Sequence, residues 1–144
     1  MIAIQKIELP VDGIDRLLDE ACVEGYSFVE TLLEDWATGQ NRFDAPGEIL
    51  CGHLDQGQVV AVGGLNRDPF VGQPDVGRIR RVYVRSDWRR RGVGRVLVSA
   101  LIEHARMSFR CVRLRADNPR TSAFYETMGF TAIDDANASH ILIF

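Results

Sequence analysis

At 144 residues the chain is close to the roughly 150 that one domain averages, so residues 1–144 are read as a single domain. Hydrophobic residues at 46% and charged residues at 26% belong to a chain that buries a core, which excludes the disordered, collagen-like and coiled-coil classes. The net charge of −3 conceals a division, since residues 1–76 hold four basic residues against fourteen Asp and Glu, and residues 77–144 hold thirteen arginines against six. A basic half favours a polyanionic ligand, and an acidic half beside it a cationic one. No apolar run approaches the roughly 18–20 residues of a membrane span, and Met1 to Pro10 lacks the layout of a signal peptide, so a cytoplasmic protein is expected. Cys22, Cys51 and Cys111 are too few and too scattered for a disulfide framework or a metal site. Their apolar neighbours predict three buried, inert thiols.

Ile2 to Leu9 alternates, carries β-branched residues and stops at Pro10, which predicts a first strand. From Asp12 the period becomes helical, with Ile14, Leu17, Leu18 and Ala21 on one face and then Phe28, Leu32, Leu33 and Trp36 on another. Gly25 separates the two helices and Gly39 ends the second. Ile49 to Leu54 and Gln58 to Leu65 form a hairpin around Asp55, Gln56 and Gly57. Gly77 to Arg85 is a fourth strand whose alternation slips by one residue at Arg80-Arg81, the mark of a bulge. From Gly92, the residues Val93, Val96, Leu97, Ala100, Leu101 and Ala105 keep helical spacing over about four turns. Arg110 to Ala116 is a fifth strand, and Pro119 to Met128 is a helix capped by Asn118 and closed by Gly129. Two short strands follow, around Phe130 to Ile133 and His140 to Phe144. Hairpins followed by a strand-helix-strand unit predict an α/β (α+β) fold, a mixed sheet of about six to seven strands flanked by about four helices.

Between the fourth strand and its helix lies Arg89-Arg90-Arg91-Gly92-Val93-Gly94-Arg95. A helix start offers free backbone N–H groups and the positive end of the helix dipole, and Gly92 and Gly94 allow an anion close to the backbone. The segment lacks the Gly-Lys-Ser/Thr of a nucleotide-binding P-loop, and Leu97 stands where the dinucleotide fingerprint has its third glycine. What remains is a shorter diphosphate cradle. An arginine-rich nucleic-acid patch is the competing reading, disfavoured by the acidic balance of the chain and the lack of interleaved stacking aromatics.

Ile79-Arg80-Arg81-Val82-Tyr83-Val84, then Arg89-x-x-Gly92-x-Gly94 opening an amphipathic helix, then Asn118 seven residues before Tyr125 with Gly129-Phe130 behind it, together resemble the GNAT superfamily of acetyl-CoA-dependent N-acetyltransferases. The resemblance implies splayed fourth and fifth strands and a direct transfer of acetyl from acetyl-CoA to the primary amine of a small molecule in a ternary complex. It assigns the CoA pyrophosphate to Arg89, Arg90, Arg91, Gly92, Val93, Gly94 and Arg95. It assigns the pantetheine amides to the backbone of Val82, Tyr83 and Val84, with a bulge N–H polarising the thioester carbonyl. Asn118 would hold the cofactor or the splayed strands, in addition to capping its helix. Tyr125 would protonate the departing thiolate, a role that suits a phenol with a pKa near 10. No metal is implied, nor a nucleic-acid or membrane partner; dimers are common in the family, although no apolar stripe here singles out an interface.

Many GNAT enzymes begin the fourth strand with a Glu, where this chain has Arg78. That departure leaves the base for the amine open among Asp75, His140, Glu30 and Glu34. Trp36, Arg42, Phe43, Arg67 and Phe70 fall where the family builds its acceptor pocket. The acid-rich half favours a cationic or neutral amine there, whereas Arg42 and Arg67 as a clamp would favour a carboxylate. A non-catalytic acyl-CoA-binding domain on the same fold is the alternative to an enzyme.

Overall fold

The computed structural model describes all residues, Met1–Phe144. Seven strands form one mixed sheet: β1 (Gln5–Lys6), β2 (Ile49–Asp55), β3 (Gln58–Arg67), β4 (Val76–Val84), β5 (Cys111–Leu114), β6 (Thr131–Ala132) and β7 (His140–Ile143). Four helices flank it: α1 (Ile14–Val23), α2 (Phe28–Thr38), α3 (Val93–Arg106) and α4 (Pro119–Thr127). The strand order is β1-β2-β3-β4-β5-β7-β6, and β4–β5 is the parallel pair. No helix is long and apolar enough to cross a membrane.

The expected strand from Ile2 to Leu9 shrinks to Gln5–Lys6. Its apolar residues are divided between the two sheet faces, Ile2 and Ile4 packing with the α3 side and Ile7 and Leu9 with the α1 side. The hairpin turns at Gln56 and Gly57, both left-handed, as a two-residue loop requires. β7 enters the sheet between β5 and β6, so the last strand in sequence is not the last in space.

Each face of the sheet has its own core. Val93, Leu97, Val98, Leu101 and Ala105 of α3 pack on Ala61, Ile79, Val112 and Leu114, joined by Tyr125 and Phe130. On the other face Leu17 and Ala21 of α1 and Val29 and Leu32 of α2 cover Leu50, Val59, Val62 and Tyr83. Phe43 completes this second core with a left-handed φ of 52°, and its ring lies directly over Gly64. A Cβ at Gly64 would come within 2.8 Å of the ring's Cζ and closer still to Cε1.

β4 and β5 pair only at Val76/Cys111, Gly77/Val112 and Arg78/Arg113, then part. On its other edge β4 slips register against β3 between the pairs Val62/Tyr83 and Gly64/Arg80, and Arg81 takes a φ of 60°. The break in alternation at Arg80-Arg81 is thus a β-bulge.

One sequence expectation fails here: Cys22 is exposed on α1, whereas Cys51 and Cys111 are buried. Apolar neighbours in sequence do not reveal that position 22 falls off the stripe formed by Leu17 and Ala21. Burial pushes the Cys51 thiol up to about 11. A thiol reagent added to native protein is therefore expected to modify Cys22 quickly and to reach Cys51 and Cys111 only after denaturation. In equilibrium urea unfolding, Gly64→Ala should lower stability by about 1–3 kcal/mol, the usual cost of overpacking. An unchanged midpoint would mean that Phe43 can move aside freely.

Candidate active site

The loop between β4 and α3 passes through a 3-10 turn at Ser86–Trp88 and two left-handed residues, Arg90 (φ 63°) and Gly92 (φ 81°), before the helix begins. None of the backbone N–H groups from Arg90 to Arg95 finds an acceptor in the protein. The first turn of α3 contributes the orphan donors found at any helix start, and the two left-handed residues extend the series backwards into the loop. Val84, Trp88, Arg89, Arg90, Gly92, Val93, Gly94, Arg95 and Phe124 line an open cleft around these donors. At Gly94 an added Cβ would meet only ordinary contacts, 3.7 Å from Val84 and 3.9 Å from Phe124. The packing around it therefore does not itself require a glycine at this position.

The arginine side chains of this loop are largely occupied. Arg89 grips Glu24, the residue that ends α1, with both terminal nitrogens, at 2.8 and 2.7 Å, donates Nε–H to the Val84 carbonyl at 3.0 Å and stacks over the Tyr83 ring. Arg91 stacks on Trp88, with its guanidinium 4.5 Å from the ring centroid. Arg95 reaches α4 through Thr127 at 2.9 Å. The backbone, with the unpaired Arg90, is left to face the cleft.

Along the parted edge of β4 the three residues expected to meet the cofactor divide. Arg85 donates its N–H to Val60 on β3, so alternation turns the polar backbone of Tyr83 toward β3 as well and that of Val84 and Val82 toward the opening. The Tyr83 side chain also points away, its hydroxyl hydrogen-bonded to Glu20 and Glu24 at the end of α1. Of the three, Tyr83 is the one whose backbone and side chain both point away from the opening. Sequence alone does not say which strand edge is free.

Tyr125 lies on α4, 6% exposed, in edge-on contact with Phe124 and Phe130. Its hydroxyl makes no hydrogen bond to the protein, and burial, with a smaller contribution from Asp117, pushes its pKa up. The phenol therefore keeps its proton at neutral pH and has no internal acceptor to give it to. Asn118 caps α4, its Oδ1 accepting from the Thr121 N–H at 2.9 Å.

The five expected acceptor residues are not all brought together. Trp36 and Arg42 line a hollow with Lys6, Glu8 and Asp44 at the β1–β2 edge, to which no residue of β4 or β5 contributes. Arg42 donates to the Trp36 carbonyl at 2.8 Å. Arg67 pairs with Gly77 across β3–β4, and a Cβ at Gly77 would meet Phe109 and Val112, so Arg67 takes the α3 face. A clamp of Arg42 and Arg67 is excluded by this arrangement. Phe70 alone stays near the opening, 4.9 Å from the Arg78 guanidinium. The expected bases fare no better: Asp75 pairs with Arg110 at 3.1 Å, and Glu30 and Glu34 are in solvent or at its edge on α2. His140 is buried between Ser139 and Glu126.

Where the acid-rich half was expected, the opening is lined by arginines. Arg78 and Arg80 occupy the α2-side face of β4, opposite in direction to Ile79, and Arg113 occupies the same face of β5. Asp68, with its side chain fully buried, lies 3.3 Å from Arg78 and 3.6 Å from Arg113. In the sequence Arg80 and Arg81 stand out only as part of a strand motif with a bulge. The bulge, which was legible, was the signal that these two side chains flank the opening. No three His, Cys, Asp or Glu side chains converge as metal ligands would.

Residues 13–130 match the acetyltransferase (GNAT) family, and the chain belongs to it. The fold is similar over 99% of this chain and 93% of the other to a candidate acetyltransferase from Exiguobacterium sp. 255-15, at 26% identity and a TM-score of 0.89. It is also similar to ribosomal-protein-alanine N-acetyltransferase from Brucella melitensis, at 20% identity over 99% of both chains with a TM-score of 0.68. Glucosamine-6-phosphate N-acetyltransferase from Arabidopsis thaliana shares the fold at 18% identity and a TM-score of 0.66, covering 96% of this chain and 97% of that one. The protein is an acyltransferase of the acetyl-transferring kind.

The Arg89 contact holds the Glu24 carboxyl down to about 2 from its usual 4.5. A depressed carboxyl contributes stability that is present above the unfolded value and is lost as pH falls through the folded one. Wild type should thus be more stable than Glu24→Gln in urea melts at pH 6, and the gap should close between pH 4.5 and about 2. A gap that does not change with pH would mean that the ion pair contributes nothing.

Proposed function

We propose that the protein transfers acetyl from acetyl-CoA to a primary amine by direct attack in a ternary complex, with residues 1–144 acting as one catalytic domain. The observation that carries this reading is the unbroken series of free N–H groups from Arg90 to Arg95, set where β4 leaves β5. Those donors fit a diphosphate, whose charge the helix start favours and whose approach Gly92 and Gly94 permit. The free edge at Val82 and Val84 fits the amides of an extended arm, which would pair there as a further strand does. When bound, acetyl-CoA supplies an activated acyl group.

The chain's own groups then have separable tasks. A backbone N–H at the bulge stabilises the developing oxyanion, a contribution of about 3–4 kcal/mol where such donors have been removed in other acyl transferases. As the amine nitrogen bonds to the carbonyl carbon and the carbon–sulfur bond breaks, Tyr125 gives its proton to the sulfur. It recovers one from solvent, which receives the proton lost by the nitrogen. A neutral phenol without an internal hydrogen-bond partner suits that role, because its proton is not committed elsewhere.

Two measurements on the same protein test this reading: acetyl-CoA binding by calorimetry, and release of free thiol from acetyl-CoA across a panel of amines. Wild type should bind acetyl-CoA and release thiol only when an amine is acetylated. Tyr125→Phe should keep the affinity and lose about 10²–10⁴-fold in turnover. A folded Phe variant with full turnover would make Tyr125 a packing residue, and failure to bind acetyl-CoA would remove the reading altogether.

A further inference from the structure

The α2-facing side of the opening carries arginines that are not equivalent. Arg78 is closed off by Asp68 at 3.3 Å and by the Asn137 carbonyl at 2.7 Å. Arg113 shares Asp68 and is bonded to Asp135 at 2.8 Å, and Arg115 donates to the Ala136 carbonyl at 2.6 Å. Asp68 and Asp135 are thereby used up. Arg80 and Arg81 are both half-buried, yet neither makes a side-chain hydrogen bond or an ion pair. The remaining acid that acts on both is Asp35 of α2, which attracts them without pairing to either.

Burial and mutual repulsion pull the Arg80 guanidinium down to about 10, which still leaves it charged at neutral pH. A guanidinium that has lost part of its water without gaining a partner is in an unfavourable state, and two adjacent ones repel. An oxyanion bound between them relieves both conditions, and the planar forks match it geometrically. This oxyanion is not the cofactor's diphosphate, because neither residue lines the cleft around Arg89 to Arg95. Arg81 is itself the bulge residue, next to the Val82 and Val84 edge, so an anion held there lies beside the opening.

We propose that the acetyl acceptor is an amine carrying an oxyanion, a carboxylate or a phosphate, which Arg80 and Arg81 hold while the amine faces the bulge. The inference rests on the acetyltransferase reading and specifies its substrate class. It reverses the preference for cationic acceptors that the acid-rich half of the sequence favours, because a polyamine or aminoglycoside would meet uncompensated positive charge at this face.

The test uses amines matched except for their anion. Glycine and β-alanine against their amides probe a carboxylate, and phosphoethanolamine against ethanolamine probes a phosphate. Binding is read by calorimetry on CoA-saturated protein, and transfer by thiol release from acetyl-CoA. At least one anionic amine should bind more tightly than its neutral twin and exceed it in kcat/KM by about 10- to 100-fold, as expected of charge-assisted hydrogen bonds. Arg80→Met should bring that ratio toward one, Arg81→Gln should reduce it, and Arg80→Lys should restore part of it, with acetyl-CoA affinity verifying that each variant is folded. The proposal is overturned if neutral twins match or exceed the anionic amines in both arms, if no anionic amine binds, or if the ratio survives in a folded Arg80→Met protein. Loss of acetyl-CoA binding in the wild type is a different failure, which removes the acetyltransferase reading first.

Discussion

Two parallel strands that share three register pairs and then separate leave a row of backbone donors and acceptors with no neighbour. Such groups are costly unless something pairs with them, and here the separation begins at Arg78 and Arg113, in the middle of the sheet rather than at its edge. The chain gets from β4 to β5 through α3, and the helix starts beside the opening because the crossover must begin where β4 ends. The strand edge and the helix start thus follow from one topological event. The bulge at Arg81 adds the third component, a local change of direction on the strand that borders the gap.

Electrostatics in space differ from electrostatics in sequence. Two of the acids at the end of α1 are turned inward: Glu20 and Glu24 meet the Tyr83 hydroxyl, and Glu24 meets Arg89 from the basic half. Asp68 is likewise buried between Arg78 and Arg113. At the opening, Arg80 and Arg81 are the charges left without an ion-pair partner. A cationic environment disfavours the protonated form of any group placed in it.

Much of this was legible from local pattern. The α3 stripe, the Gln56-Gly57 turn, the Asn118 cap and the slip at Arg80-Arg81 are decided by spacing within a few residues, and all four are in the structure. What local pattern cannot supply is facing. Arg67 and Arg78 are both charged residues near strand ends, yet register puts Arg67 on the α3 face and Arg78 on the other. The free edge of Val84, as opposed to Tyr83, depends on which strand pairs with which side of β4. Trp36 and Arg42 belong to the predicted pocket, but α2 and the loop after it deliver them to the far edge of the sheet.

The Arg89–Glu24 contact joins a loop that borders one ligand cleft to a helix that belongs to the opposite face of the sheet. A ligand that repositions the loop and a ligand that repositions α1 therefore act on the same two side chains. Thermodynamic linkage makes such influences mutual: whatever free energy the first ligand exerts on the binding of the second, the second exerts on the first. A ligand that draws the loop away from α1 would work against the Arg89–Glu24 contact, so the loop's freedom to move is set in part by a residue on the other face of the sheet.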